Sequence, residues 1–327
     1  MSIGLGLIGM GRHGSRYARH LVVDRIEGCH LTVVSRRDRA AGQAFADEHG
    51  IAFEPDWRQV LKRADVEAVL VVTPPALNRI ICLAAAEAGK SLLIEKPLAL
   101  TTADAKEMVS AARQAGVTLM TAQTLRFTPV LRRLKERLPD IGPLEYLSLT
   151  MRAERPPHAW LEEPAQAGGG VVLEIGIHLL DLLRFLTGEE ATEVSAQLIR
   201  QHTVHTEDVA LVNVRLTSGL RCFVEVSRVS GGRLCRAEAV GRDGLLIADV
   251  GPSVLARIKG WTTVESEAVP DQPTIATVVK EFVRSLTTGS PVPVTGEDGL
   301  RAVAMAEAAY RSVQAARPVP VPDPFES

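Results

Sequence analysis

Over roughly the first 123 residues, short aliphatic runs alternate with longer segments whose apolar positions recur every three or four residues. The runs at 3 to 8 (IGLGLI), 31 to 35 (LTVVS), 66 to 73 (VEAVLVVT), 91 to 95 (SLLIE) and 117 to 122 (VTLMTA) predict strands rich in β-formers. Segments 76 to 88 and 103 to 114 have helical spacing. Thr101 and Asp104 have the spacing of a helix start, and Gly89 and Gly116 stand where helices stop. Strand, helix and strand repeated in this way predict an α/β domain with a doubly wound parallel sheet covered on both faces.

Beyond about residue 190 the pattern changes to alternating strands joined by tight turns. A hairpin is expected over 212 to 229, around Thr217, Ser218 and Gly219, and another over 239 to 248, around Asp243 and Gly244. Helices 273 to 287 and 297 to 315 follow, then an extended proline-rich tail, RPVPVPDPFES. The division expected is 1–123 and 124–327, the second part being an α+β domain with a large mixed, mostly antiparallel sheet. Between these halves, 171 to 185 is apolar nearly all round, which predicts a buried helix. Its polar residues Glu174, His178 and Asp181, four and three apart, form one stripe, as expected for the wall of a polar cleft.

Composition narrows the function. Forty-six per cent of the 327 residues are hydrophobic and the formal net charge is −2, with no basic block, so neither nucleic acid nor an anionic membrane gains electrostatic support as a partner. No apolar stretch approaches the ~20 residues of a membrane span. Cys29, Cys82, Cys222 and Cys235 are scattered, which suits a reducing compartment such as the cytoplasm. His202 and His205 near Glu207 and Asp208 match no zinc spacing, and no metal is expected.

Gly9, Gly11 and Gly14 follow a strand and open a helix, the context in which GxGxxG binds a dinucleotide. The first glycine permits the turn, the second lets backbone approach the pyrophosphate, and the third allows close helix packing. Arg12, His13, Thr73 and Pro74 join them as candidate cofactor contacts. At the end of the second strand stand Ser35, Arg36 and Arg37, where an NAD site usually has an acid. A hydroxyl and guanidinium groups suit a 2′-phosphate, so NADP is expected, with NAD second; the alternative is two exposed arginines on a loop, with Asp38 capping the next helix.

With VTPP at 72 to 75, EKPLAL at 95 to 100, LRFTP at 125 to 129, AGGGVVLEIGIHLLDLLRFLTG at 167 to 188 and GEDGLRAVAMAEAAYRS at 296 to 312, the sequence resembles the Gfo/Idh/MocA oxidoreductases. The resemblance implies an N-terminal Rossmann domain, a C-terminal domain whose open sheet forms a homodimer or homotetramer, and hydride transfer to or from a sugar, cyclitol or similar polyol. It implies catalytic roles for Lys96 and His178, with Glu174 either orienting His178, binding substrate or forming a plain salt bridge. Relatives with Ser-Arg-Arg after the second strand tend to use NADP, and a cis Lys96–Pro97 bond is common in similar proteins. Three positions depart from the usual pattern: Glu174 replaces an Asp, Asn78 a frequent His, and Thr124 a frequent Asn.

Further candidates follow from position. Glu95, Lys96 and Asn78 join the cofactor contacts; Glu95 is expected either to anchor the turn or to keep Lys96 placed. Lys96, Arg126, Trp160, Glu174 and His178 are the candidate substrate contacts, although Arg126 and Trp160 also suit packing roles. Asp181 is expected to pair with backbone or with an arginine such as Arg184. The alternative function is a regulator that keeps the dinucleotide site without turnover.

Overall fold

The computed structural model describes residues 2–155 and 159–325, and its secondary structure and counts are those of these residues. The chain folds into two compact units, one of residues 1–122 and 273–300, the other of 123–272 and 301–327.

The first unit alternates strands and helices: β1 (Ile3–Ile8), α1 (Gly14–Val22), β2 (Cys29–Ser35), α2 (Arg39–His49), β3 (Ala52–Phe53), α3 (Trp57–Lys62), β4 (Ala68–Val71), α4 (Asn78–Glu87), β5 (Ser91–Glu95), α5 (Thr102–Ala115) and β6 (Leu119–Ala122). The six strands are parallel in the order β3-β2-β1-β4-β5-β6, the Rossmann arrangement. β1, β4 and β6 are buried at every position, which is why they read as unbroken apolar runs. Thr101 caps α5 by accepting from the Asp104 amide, and Gly116 ends it in the left-handed region.

The second unit begins with α6 (Pro129–Arg137), β7 (Leu144–Arg152) and the short α7 (Pro164–Ala167). A π-helical turn, Val172–Gly176, leads into α8 (Ile177–Thr187). Then come β8 (Ala191–Ile199), β9 (Val209–Leu216), β10 (Arg221–Ser227), β11 (Leu234–Gly241), β12 (Gly244–Asp249), β13 (Val254–Lys259) and β14 (Thr262–Ala268). Both expected hairpins form, as β9–β10 and β11–β12. The sheet runs β14-β13-β12-β11-β7-β10-β9-β8-β15, antiparallel except where β7 meets β10. α8 packs on β7 and β10, while α6 packs on β12 and β13. Alternation along β9 buries Ala210, Val212, Val214 and Leu216 and leaves Leu211 exposed, with Tyr146 and Phe223 exposed on neighbouring strands.

One segment departs from the expected division, and the extended tail forms in part a strand. α9 (Thr274–Thr288), assigned above to the second half by chain order, folds with the first unit, where its apolar stripe meets α1. The tail after α10 (Gly296–Ala315) contributes β15 (Val319–Pro320), an edge strand on β8; its last two residues lie outside the described ones. No helix of the described residues is long and apolar enough to cross a membrane.

Candidate active site

The glycine loop lies between β1 and α1, and each glycine has its own physical reason. Gly9 has φ +96°, and a Cβ there would lie 2.4 Å from the Val72 carbonyl oxygen. A Cβ on Gly14 would lie 2.2 Å from the Gly9 oxygen, whereas one on Gly11 would meet nothing within 4 Å. Tight turn, close packing and an open approach are thus distributed as a pyrophosphate at the head of α1 requires, so the loop fits a dinucleotide. The end of β2 is tied to this loop: the Ser35 carbonyl accepts from the amides of Gly9 at 2.9 Å and Met10 at 3.1 Å. Asp38 caps α2 through the Ala41 amide and lies 3.4 Å from Arg36, while Arg37 is exposed.

At the end of β5 the EKP turn is clamped from two sides. The Lys96–Pro97 bond is cis. Asn78, 1% exposed, donates to the Pro97 carbonyl at 3.0 Å and the Leu98 carbonyl at 3.3 Å, while its own oxygen accepts from Thr73. This candidate cofactor contact therefore commits its carboxamide to the turn. Glu95 is buried, and its carboxylate accepts from the Tyr17 hydroxyl at 2.6 Å, His13 Nε2 at 2.8 Å and the Lys96 amide at 3.0 Å. Burial pushes this carboxyl up, but the hydrogen bond and charge of His13, the Lys96 charge and the Tyr17 hydroxyl outweigh it and hold the group at about 2. The anchor of the turn, one of the two roles open to Glu95, is formed through the Lys96 amide. Lys96 is left half-buried beyond the carboxyl end of a parallel strand, where such sheets place their ligands.

In the second unit, the apolar helix predicted over 171 to 185 starts as the π-helical turn, a feature that tends to accompany functional sites. From Gly170 to Leu183 every residue is buried except Glu174 and His178, which are partly exposed. The three-residue stripe therefore splits. Asp181, 1% exposed, takes a bidentate pair from an arginine, Arg126, at 2.6 and 2.7 Å, and Arg184 binds Glu190. Arg126 is itself buried in this pair. Trp160 sits half-buried in the short turn Ala159–Glu162.

The helix head is held by residues that the sequence pattern did not single out. Glu207 accepts from the amides of Gly170 and Val172, each at 3.0 Å, and from the Tyr310 hydroxyl at 2.8 Å. It supplies the acceptor that the first helical amides need. Gly170 has no room for a side chain, since a Cβ would lie 2.2 Å from the Glu207 carbonyl oxygen. Beside it, Arg228 is 1% exposed and pairs with Glu174 at 2.7 Å and Asp208 at 3.3 Å. Burial raises the Asp208 carboxyl, but bonds from the amides of His202, Gln201 and Thr203 and the Thr203 hydroxyl bring it below its ordinary range. Among the described residues no group of three or more His, Cys, Asp or Glu is arranged to hold a metal.

Residues 3–123 match the family described as an oxidoreductase family with an NAD-binding Rossmann fold, and 132–247 match the GFO/IDH/MocA C-terminal domain. A 1,5-anhydro-D-fructose reductase of Ensifer adhaerens is 33% identical over 316 residues, which span 91% of this chain and 92% of that one. The chain belongs to the Gfo/Idh/MocA oxidoreductase family. Another relative is the myo-inositol 2-dehydrogenase of Thermotoga maritima, 29% identical over 346 residues and 96% of this chain against 97% of that one. Among solved structures, GenD2 from gentamicin A biosynthesis, in complex with NAD, matches with TM-score 0.87 and 26% identity over 98% of this chain and 96% of that one. In this Gfo/Idh/MocA chain, the first family match spans the glycine loop and Lys96, and the second spans Glu174 and His178.

Proposed function

We propose that this chain is an NADP-dependent dehydrogenase or reductase that interconverts a hydroxyl and a keto carbon of a sugar, a cyclitol or a related small polyol. The observation that carries the reading is the glycine loop and the clamped Lys96 turn, both at the carboxyl edge of one parallel sheet. Gly9, Gly11 and Gly14 would hold the dinucleotide, with Ser35, Arg36 and Arg37 at its adenosine end. The bound nicotinamide supplies the hydride acceptor or donor. Lys96 hydrogen-bonds the substrate oxygen and stabilises the charge that develops there. His178 takes the hydroxyl proton in oxidation and returns it in reduction, a role suited to a group whose ordinary pKa lies near neutrality. Glu174, ion-paired with Arg228, faces the same partly exposed strip as His178 and is available to a substrate hydroxyl. The relatives' names, an anhydrofructose reductase and an inositol dehydrogenase, support the substrate class.

The test is a panel of sugars, cyclitols and their keto forms with NADP and NAD side by side, read by reduced-nicotinamide absorbance. Lys96→Met and His178→Asn should each lower turnover by about 10²-fold or more while cofactor still binds; near-normal turnover in both overturns the reading. In the same titrations, the double change Arg36→Ala and Arg37→Ala should weaken NADP relative to NAD by roughly tenfold or more, and an unchanged ratio removes the NADP assignment. Assembly through the open face carrying Tyr146, Leu211 and Phe223 belongs to the same proposal, and a monomeric mass in solution would end it.

A further inference from the structure

Glu95 receives three donors, and they differ in what carries them. The Lys96 amide is the next residue along the chain, 3.0 Å from Oε2. The Tyr17 hydroxyl comes from the interior of α1, where the residue is 1% exposed. His13 stands inside the glycine loop itself, one residue before Gly14, and reaches across 82 residues of sequence to Oε1 at 2.8 Å. Its side chain is 46% exposed, so solvent alone would satisfy the imidazole, yet the ring turns onto Glu95 and packs edge-on against Tyr17 at 5.6 Å. Since an ionised carboxylate only accepts, Nε2 carries the proton in this bond.

The two oxygens of Glu95 therefore face different partners: Oε1 faces α1 and the nucleotide loop, Oε2 the backbone of Lys96. A rigid carboxylate with both oxygens engaged passes the position of one set of donors to the other. We propose that His13 is a positioning residue that, through Glu95, sets the Lys96 turn from the same loop that receives the dinucleotide. The inference rests on the reading that Lys96 acts on the substrate oxygen. It assigns to His13 a role beyond contact with the cofactor: loop and catalytic turn are held as one piece, so an ordered glycine loop carries Lys96 into register for the reaction.

The imidazole contact is made by Nε2, which permits a sharp test on the full-length protein. In His13→Gln the amide nitrogen lies near the former Nε2 position, whereas in His13→Asn it lies near Nδ1 and falls short of Glu95. Amide hydrogen exchange at Lys96, read without cofactor or substrate, should be about tenfold faster in His13→Asn than in the wild type and within roughly threefold of it in His13→Gln. With a substrate from the panel, kcat should fall by about tenfold or more in His13→Asn and recover in His13→Gln, while any change in cofactor KM, expected from loss of the imidazole contact itself, is the same in the two variants within about threefold. Equal behaviour of the two variants in exchange, or an effect confined to cofactor KM, overturns the proposal and leaves His13 a phosphate-loop residue. The exchange result stands whatever Lys96→Met does to turnover. Normal turnover in that variant would therefore remove the catalytic reading without touching the His13–Glu95–Lys96 linkage.

Discussion

The Lys96 turn and the head of the His178 helix both present a partly exposed polar side chain from an otherwise buried element, but they hold their carboxylates by different means. In the first unit, Glu95 is surrounded by a phenol, an imidazole and a peptide amide, three modest donors that share one acid. In the second, Arg228 joins Glu174 to Asp208, and Arg126 holds Asp181, so each carboxylate leans on a full positive charge. Several weak donors make a cluster that loses its members one at a time. A cluster built on one buried arginine loses its shared positive charge in a single step, and a buried acid deprived of its charge partner is costly.

The largest expected effect follows directly. Arg228→Met should destabilise the protein by about 3–5 kcal/mol, measured by urea unfolding, since Asp208 is fully buried and Glu174 loses its 2.7 Å partner. A loss under about 1 kcal/mol would mean that the amides of residues 201–203 suffice for Asp208 and that the contrast between the units is overstated.

Glu95→Gln probes the other side of the comparison, and here pH separates charge from packing. Held at about 2 against an ordinary 4.5, the carboxylate stabilises the fold by on the order of 3 kcal/mol at neutral pH. Because the folded value is the lower one, this contribution is fully present above about 4.5 and disappears as pH falls through about 2. The gap in stability between wild type and Glu95→Gln should therefore narrow by more than half on going from neutral pH to about pH 3. A gap that stays constant would assign the loss to packing.

The same contrast explains how much could be read from the chain. The parallel strands were legible because burial on both faces writes an unbroken apolar run; β1 and β5 begin and end where those runs do. The glycine loop, the EKP turn and the Thr101 cap are local in sequence, so spacing alone located them. β3 is only two residues long and has no period to detect. The π-helical turn was hidden because 171 to 177 is apolar apart from Glu174 and small residues, and such a run fits either winding. The arginine pairings were missed for another reason: Arg126 lies 55 residues from Asp181, and Arg228 lies 54 from Glu174 and 20 from Asp208, so no local pattern connects them. Glu207 reaches the helix head from 35 and 37 residues away. What was illegible is thus mainly the charged support of the second unit, the part that depends on tertiary pairing.

Tyr17→Phe makes the smallest and most selective cut. Tyr17 is 1% exposed, and burial first, then the charge of Glu95, pushes its hydroxyl well above the usual phenol range, so it acts as a donor throughout the working pH range. Phenylalanine keeps the ring and its edge-on contact with His13 but removes the 2.6 Å hydrogen bond to Oε1. Because His13 and the Lys96 amide still bind the carboxylate, no charge is left bare, and the cost should be that of one charge-assisted hydrogen bond, about 1.5 kcal/mol. Combining it with His13→Asn should cost more than the two single losses together, since the second deletion leaves Oε1 without a donor from α1 or the glycine loop. Strict additivity in that cycle would show that the two donors serve the carboxylate independently and that solvent replaces either; the first unit would then resist the loss of both, unlike its arginine-dependent neighbour.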